Sequence, residues 1–243
     1  NMLGAVKFVF NGEEVVAEET ETIFEAATRA GYEIPHLCYS AGMRPDGNCR
    51  ACMVEIDGER VLAPSCCRKP IENMKVTANS ARALKSQTLV LELLRGEVGA
   101  THFSNKSELD YWCEKLAVDG SRFEGRDEPM ADVTHPAIAV NLSACIQCTR
   151  CVRACREEQA NDVIGFANRG IRSEIVFDMN DSLGESSCVG CGECVQACPT
   201  GALMPSGGVG LESIDDQVDS VCPYLSLIHI SEPTRPRLIS YAV

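Results

Sequence analysis

The spacing of the cysteines constrains this chain more than any other feature of its sequence. Fifteen of the 243 residues are cysteine, and eight of them form two runs of identical spacing. The runs are Cys145-x-x-Cys148-x-x-Cys151-x-x-x-Cys155 and Cys188-x-x-Cys191-x-x-Cys194-x-x-x-Cys198. A pattern that recurs at a fixed interval indicates an internal repeat of a small unit. So many thiols predict either a disulfide framework or metal sites.

The doubled run resembles the signature of bacterial two-cluster ferredoxins. There, three close cysteines hold three corners of a [4Fe–4S] cube, and the fourth cysteine binds the other cube. On this resemblance we expect one [4Fe–4S] cluster at Cys145, Cys148, Cys151 and Cys198, and a second at Cys188, Cys191, Cys194 and Cys155. Crossed ligation explains the pairing of the runs, since neither half completes its cluster alone. Arg156 stands where the signature has proline, a departure that leaves the ligands intact.

Four further cysteines form an earlier group at Cys38, Cys49, Cys52 and Cys66. Cys49 and Cys52 can place two thiolates on one metal from a single tight loop, and Cys38 and Cys66 then close the other side. Four thiolates, two on each iron, are what a [2Fe–2S] cluster needs. Cys67 adjoins Cys66 and competes with it as the fourth ligand. A structural zinc site is the alternative, although such sites usually pair two short Cys-x-x-Cys units.

The ten-residue gap between Cys38 and Cys49 resembles one particular group of [2Fe–2S] domains. It is similar to the amino-terminal domain of respiratory NADH dehydrogenase, NAD-linked hydrogenases and NAD-dependent formate dehydrogenases. This resemblance implies that Cys66, rather than Cys67, is the fourth ligand.

Three residues outside the cysteine groups carry weaker expectations. Relatives of this kind often hold a further [4Fe–4S] cluster by one histidine and three cysteines. His102 has only Cys113 near it, so we expect that cluster to be absent and His102 to be a surface or capping residue. Cys113 is expected to be a small buried residue of a helix. His36, beside Cys38, is expected to serve its loop or, alternatively, to tune the first cluster through a hydrogen bond.

Local patterns predict the elements around the first cysteine group. Thr22, with Glu25 three residues later, predicts the start of a helix that Gly31 ends. Apolar runs joined by Asn-Gly and Asp-Gly turns predict two hairpins and a last strand. These strands are Val6–Phe10, Glu13–Glu19, Met53–Ile56, Arg60–Ala63 and one at Val76. The order of the elements resembles the β-grasp fold of plant-type ferredoxins.

The rest of the chain divides into further units. Helical spacing predicts a helix over Ser80–Arg95, ended by Gly96, and a second over Ser107–Val118. We therefore predict an α+β chain. Its units are a [2Fe–2S] β-grasp domain over 1–79, a helical connector and linker over 80–136, a two-[4Fe–4S] domain over 137–205, a linker and the start of another domain over 206–224, and a tail over 225–243.

The tail has poor amphipathicity and no helical periodicity, and it looks like a translated sequencing adapter; a genuine extended tail is the alternative. We exclude it from fold reasoning. The natural sequence is then expected to break off at Cys222-Pro223-Tyr224. This run is similar to the start of the catalytic part of molybdenum- or tungsten-pterin formate dehydrogenases. There, a Cys-Pro-Tyr-Cys run opens a further [4Fe–4S] site beside the bis-pterin metal. On this resemblance, Cys222 is the first ligand of an incomplete further cluster.

The resemblance implies the iron–sulfur arm of a formate dehydrogenase alpha subunit. Formate oxidation would occur at the missing Mo/W–bis-pterin domain, and electrons would pass through the clusters to a flavin- and NAD-binding diaphorase-type subunit. The chain alone is expected to lack formate dehydrogenase activity. The alternatives are the iron–sulfur subunit of an NAD-linked hydrogenase or NADH dehydrogenase and, from another class, a zinc-binding interaction module.

The acidic composition excludes some classes of binding partner. The formal net charge is −13, from 22 basic and 35 acidic residues, and such a chain is a poor binder of polyanions. We therefore expect neither nucleic acid nor an anionic membrane surface as a partner. No apolar run reaches the roughly 18 residues that a membrane span needs. Thiols meant for metals stay reduced in the cytosol, so a cytoplasmic location is expected.

Overall fold

The computed structural model describes residues 5–98, 107–126 and 129–206. Nine strands and five α-helices lie in these ranges, with short 3₁₀ turns between them. His102, Cys222 and the predicted units beyond residue 206 lie outside the described residues. In the ranges described, no helix is long and apolar enough to cross a membrane.

The first unit is a five-stranded mixed sheet with the order β2-β1-β5-β3-β4. Its strands are β1 (Val6–Phe10), β2 (Glu13–Ala17), β3 (Met53–Ile56), β4 (Ala63–Pro64) and β5 (Lys75–Thr77). β5 lies at the centre, parallel to β1 and antiparallel to β3. Asn11 and Gly12 both have positive φ, as the Asn-Gly hairpin prediction requires. A strand inserted between the two hairpins gives the predicted β-grasp arrangement.

The strand predicted over Arg60–Ala63 is wrong in extent, since the structure has only Ala63–Pro64 there. The register pairs Val54 with Ala63 and leaves residues 57–62 as a loop. The carbonyl of Arg60 accepts a hydrogen bond from the side chain of Arg82 instead of joining the ladder.

Helix α1 (Ile23–Arg29) begins as predicted. Thr22 and Glu25 form a reciprocal capping box, and Gly31 follows the helix with φ +90°. Its apolar side packs into the first core, together with the inward faces of the sheet. The largest members of that core are Phe8, Phe10, Ile23, Phe24, Ile34, Val54 and Val76.

Helix α2 (Ala81–Glu97) is capped by Ser80 and extends past Gly96, where the sequence predicted its end. Gly96 serves close packing instead, because a Cβ there would lie 2.6 Å from the hydroxyl of Ser121. Gln87 anchors the helix to the sheet. Its buried amide donates to the carbonyls of Met53 and Ala78 over 2.9 and 3.2 Å.

Helix α3 (Glu108–Lys115) is capped by Ser107 and ends three residues before the predicted Val118. Ala117 adopts φ +54°, and the amide of Val118 bonds back to the carbonyl of Cys113 over 2.8 Å. This left-handed turn ends the helix. In the predicted linker, residues 119–126 and 129–136 form no strand or helix apart from one bridge between Asp132 and Val140.

The second unit contains the two cysteine runs. Its strands β6 (Ile138–Val140) and β9 (Leu203–Pro205) pair antiparallel and bring its two ends together. Helix α4 (Arg150–Arg153) continues into a π-helical turn, Ala154–Glu158, and helix α5 (Glu193–Ala197) belongs to the second run. Between the runs lies a hairpin of β7 (Ile164–Ala167) and β8 (Glu174–Phe177), which was not predicted from the sequence.

A third core joins the two units. It combines residues of the first cysteine group's loop, of helices α2 and α3 and of the first cysteine run. Its buried members are Leu37, Cys38, Leu91, Leu109, Trp112, Cys113, Val118, Ile146 and Cys148. The two helices of the connector therefore pack between the two units rather than beside them.

Candidate metal centres

The first cysteine group converges on one place. Cys38 follows α1, Cys49 and Cys52 lie on the loop before β3, and Cys66 follows β4. The backbone amide of Cys38 donates to the sulfur of Cys49 over 3.4 Å, and the thiols of Cys38, Cys52 and Cys66 lie near enough to shift one another's pKa values. Cys38, Cys52 and Cys66 are at most 1% exposed. Four neighbouring thiols, three of them buried, are the donor set that a [2Fe–2S] cluster requires.

The charges of these thiols depend on one another. Hydrogen bonds from Cys49 and Cys66 lower the pKa of Cys38 to about 2. The interaction with Cys38 in turn raises the pKa values of Cys49 and Cys66, which keep their protons while Cys38 loses its own. Four thiolates cannot form together here without added positive charge, and iron ions supply such charge when they bind deprotonated sulfur.

Cys67 lies at the edge of this group. It is exposed, and its sulfur is 3.6 Å from that of Cys66. A Cβ on Gly47 would lie 2.7 Å from the Cys67 sulfur, so this glycine makes room for the outward-turned thiol. Partial removal of its thiol from water raises the pKa of Cys67. The structure thus buries Cys66 with Cys38 and Cys52 and leaves Cys67 exposed beside Cys66.

The eight cysteines of the second unit line two separate cavities. The first cavity contains Cys145, Cys148, Cys151 and Cys198, and the second contains Cys155, Cys188, Cys191 and Cys194. These are the two crossed sets that the sequence predicted. In the described ranges, no three or more His, Cys, Asp or Glu side chains are grouped around a single-ion position. Each cavity is lined by four thiols, the number of ligands that a [4Fe–4S] cluster takes.

Left-handed residues shape both cysteine loops. Gln147 and Thr149 have φ of +55° and +68°, and Gly190 and Gly192 have +69° and +83° at the matching places of the second run. The turns aim backbone amides at the first sulfur of each run. The amide of Gln147 donates to Cys145 and that of Gly190 to Cys188, both over 3.4 Å. Hydrogen bonds to cluster sulfurs are one of the ways a protein sets a cluster's potential.

Burial raises the pKa values of four of the thiols that line these cavities, those of Cys145, Cys148, Cys151 and Cys194. For Cys148 and Cys151, removal from water is the main cause of the raised pKa, and the charges of neighbouring thiols raise it further. The pKa of Cys194 rises to about 12 for the same reasons. Without a metal, these four thiols therefore stay neutral, and the positive charge of iron would favour their thiolates.

The first thiol group lies beside the first cavity of the second unit. Cys38 and Cys148 belong to the same buried core, and Cys49 packs against it. Trp112 of α3 lies in that core as well. The third core thus connects the predicted [2Fe–2S] site with the Cys145 cavity.

Cys113 and His36 lie close to the first thiol group. Cys113 is buried in the third core, which confirms its prediction. The ring of His36 packs 4.7 Å from Phe24 and 5.6 Å from Trp112, and its Nδ1 lies 2.9 Å from the carbonyl oxygen of Ile34. These contacts favour the loop role for His36.

A group of polar residues between the two units was not predicted from the sequence. Its members are the arginines Arg150 and Arg153 of α4, Thr149 before them, and Asp46 and Asn48 of the first cysteine loop. An alignment of the two cysteine runs would have singled out the two arginines, because the second run has no basic residue at the matching positions.

Comparisons with known proteins agree with this organisation. The chain matches the family described as 2Fe-2S iron-sulfur cluster binding domain over residues 4–81. It matches the family described as 4Fe-4S dicluster domain over residues 144–202. The predicted order, a [2Fe–2S] ferredoxin-like domain followed by a two-[4Fe–4S] domain in an α+β chain, is confirmed.

Two relatives extend over both units. The G-type subunit of the NADH-quinone oxidoreductase of Rickettsia prowazekii is 29% identical over 203 residues, which are 82% of this chain and 30% of the relative. The NADP-reducing hydrogenase subunit HndD of Solidesulfovibrio fructosivorans is 32% identical over 215 residues, or 83% of this chain and 36% of the relative. The chain spans about a third of the length of these curated relatives.

A solved structure has the same architecture. It is the crystal structure of an NAD⁺-reducing [NiFe]-hydrogenase in the H2-reduced state, with a TM-score of 0.79 and 25% sequence identity. The match covers 87% of this chain and 92% of that one. The arrangement of both units thus recurs in one chain of that hydrogenase.

The position of Cys67 generates a first prediction. Cys67→Ser should retain the full iron content, since its thiol is exposed whereas that of Cys66 is buried with Cys38 and Cys52. Cys66→Ser should lose the [2Fe–2S] cluster, or about two iron atoms per chain. Iron analysis and electron paramagnetic resonance (EPR) of the reduced protein measure both variants. Loss of iron from Cys67→Ser, with Cys66→Ser intact, would show that Cys67 is the ligand.

The two cavities generate a second prediction, about crossed ligation. Cys198→Ser should lose the cluster of Cys145, and adding Cys145→Ser should remove no further iron, which leaves about six atoms per chain. Adding Cys188→Ser to Cys198→Ser should remove both cubes and leave about two. Iron content of the two double variants decides the matter. The reverse result, two atoms with Cys145→Ser and six with Cys188→Ser, contradicts the crossed assignment.

Proposed function

We propose that this chain, an iron–sulfur module related to the G-type subunit of NADH-quinone oxidoreductase and to NAD-reducing hydrogenase subunits, conducts electrons within an NAD-linked oxidoreductase. The observation that supports this most directly is the arrangement of three four-thiol sites in one packed body. The first site shares a buried core with the second. One-electron transfer between such sites requires them to be close and fixed in place, and the shared core provides both.

The clusters, when bound, would supply one-electron carriers whose potentials depend on their surroundings. The residues of the chain hold and insulate them. We assign Cys38, Cys49, Cys52 and Cys66 to one [2Fe–2S] cluster, Cys145, Cys148, Cys151 and Cys198 to one [4Fe–4S] cluster, and Cys155, Cys188, Cys191 and Cys194 to another. Apolar neighbours such as Ile146 and Ile175 shield the first cavity of the second unit from water.

The partner that fits this function is a flavin- and NAD-binding subunit, because a flavin converts a two-electron hydride into single electrons. The electrons would come from, or go to, a catalytic site outside this chain, so the chain by itself carries electrons without turning over a substrate. The domain limits predicted from sequence and a cytoplasmic location belong to the same proposal. The named relatives support the hydrogenase or NADH dehydrogenase type of parent better than formate dehydrogenase.

Formate dehydrogenase is a second candidate, favoured by one observation in the sequence. Cys222-Pro223-Tyr224 follows the second unit and a Gly-rich segment, as it would before a Mo/W-pterin domain. Only with such a domain would Cys222 bind a further [4Fe–4S] cluster.

The third prediction tests electron transfer against zinc binding. Anaerobically purified chain should contain about ten iron atoms, two plus four plus four, with matching acid-labile sulfide. Its visible absorption should bleach with dithionite and return with oxidant, because the clusters accept electrons. Elemental analysis and reductive titration measure this. Stoichiometric zinc in a colourless protein would overturn the proposal and favour the interaction module.

The fourth prediction separates the two parents. Long reads of the source DNA through codon 224 should lack a Cys-x-x-x-Cys pattern directly after Tyr224 if the parent is of the hydrogenase or NADH dehydrogenase type. The second candidate requires that pattern, since its extra cluster needs the remaining ligands beside Cys222. Finding it would therefore replace the preferred parent with formate dehydrogenase.

A further inference from the structure

Two buried arginines of helix α4 connect the two predicted cluster sites. Arg153 is 3% exposed and donates to the carbonyl oxygens of Cys38 and, over 2.6 Å, Arg44. Arg150 is 7% exposed and donates to the carbonyl oxygen of Leu37 over 3.3 Å. Both side chains thus leave the first cysteine run of the second unit and end on the backbone around Cys38.

The second cysteine run has no counterpart of this arrangement. Forty-three residues after Arg150 and Arg153, the matching positions of α5 are Glu193 and Gln196. The two runs have the same loop conformation and the same type of ligands. The arginines are therefore unnecessary for holding a cubic cluster, and they require another explanation.

Neighbouring residues of the loops show the same specialisation. Thr149 adopts a left-handed φ where the second run has Gly192, although β-branched residues disfavour this conformation. Its hydroxyl donates to Asp46 over 2.8 Å. The side-chain amide of Asn48 donates to the carbonyl of Gln147 over 2.8 Å. The first run has side chains where the second has glycine, and its loop binds the neighbouring unit.

The two arginines at this junction are more deeply buried than the carboxylates that pair with them. Arg150 pairs with Glu108 over 2.7 Å, and the Nε of Arg153 lies 3.5 Å from a carboxylate oxygen of Asp46. Asp46 also pairs with Arg44 over 3.1 Å, and the exposed Arg44 pairs in turn with Glu157 over 3.4 Å. The Nε atoms of Arg150 and Arg153 are buried without a hydrogen bond. A fixed positive charge in a site of low dielectric acts strongly on nearby charges.

We propose that Arg150 and Arg153 are positioning residues that raise the reduction potential of the [2Fe–2S] cluster. This inference rests on the proposed function, since it needs the cluster at Cys38. Reduction adds one negative charge to the cluster, and the buried guanidinium charges stabilise that charge. The same guanidinium groups hold the Cys38 loop against α4, beside the Cys145 site. The second run lacks these arginines, so the effect is local to the junction.

The fifth prediction compares variants that remove or keep this charge. Arg153→Gln introduces the residue that the second run has and should lower the ratio of reduced to oxidised [2Fe–2S] cluster at a fixed potential about tenfold. For a one-electron couple this is a shift of about 59 mV. Arg153→Lys should stay near the wild type because it keeps the charge. The measurement is a redox titration followed by the EPR signal of the reduced [2Fe–2S] cluster.

Two further variants complete the design. Arg169→Gln makes the same charge change at an exposed position of the second unit and should leave the potential unchanged. Asp46→Asn removes the carboxylate partner and should shift the potential upward, opposite to Arg153→Gln. This variant also tests the inference if Arg153→Gln fails to fold, because Asp46 is a partly exposed loop residue.

The outcomes separate this inference from the function on which it rests. Wild-type protein without iron contradicts the proposed function itself. With full iron content, an unchanged potential in Arg153→Gln overturns the inference. It is likewise overturned if Arg153→Lys falls as far as Arg153→Gln, or if Asp46→Asn does not rise. Opposite shifts in Arg153→Gln and Asp46→Asn, with Arg169→Gln unmoved, support it.

Discussion

The structure depends on one constraint, the need to bring four thiolates together in places that exclude water. Sulfur anions repel one another, and burial raises the pKa values of Cys148 and Cys194, one thiol from each cavity. Iron would supply the missing positive charge. The surrounding fold therefore has to provide close approach of separate loops, left-handed turns and apolar walls. The hairpins, the paired runs and the strand pair β6–β9 all help to bring the cysteine loops together.

The junction between the two units follows from the same constraint. Two insulated sites can exchange electrons only when they are close, so the third core and the arginines of α4 unite what are otherwise two separate ferredoxin-like folds. Burying Arg150 and Arg153 is costly unless their donors find acceptors. Backbone carbonyls of the Cys38 loop provide several of these acceptors without cancelling the charge. Such a junction can hold the loop and act on a nearby cluster at once.

Local signals predicted the starts of the helices better than their ends. Thr22, Ser80 and Ser107 cap their helices because a side-chain oxygen meets the free amides of the first turn, an interaction within four residues. The end of α2 depended on the close approach of Ser121 to Gly96, which is a tertiary contact. The hairpin β7–β8 was missed although its loop contains Asn168 and Gly170, both with positive φ, because Arg169 separates them and they do not form the adjacent pair that indicated the other hairpins.

By itself, the sequence determined the number of thiol sites, their order along the chain and the type of unit around each, because ligand spacing and capping are local properties of the chain. Crossed ligation was implied by resemblance, and only the folded chain brings Cys198 into the cavity of Cys145 and Cys155 into that of Cys188. The outward position of Cys67 and the joining of the two units by Arg153 were likewise decided in three dimensions. These features depend on contacts between residues tens to more than a hundred positions apart, which no local pattern encodes.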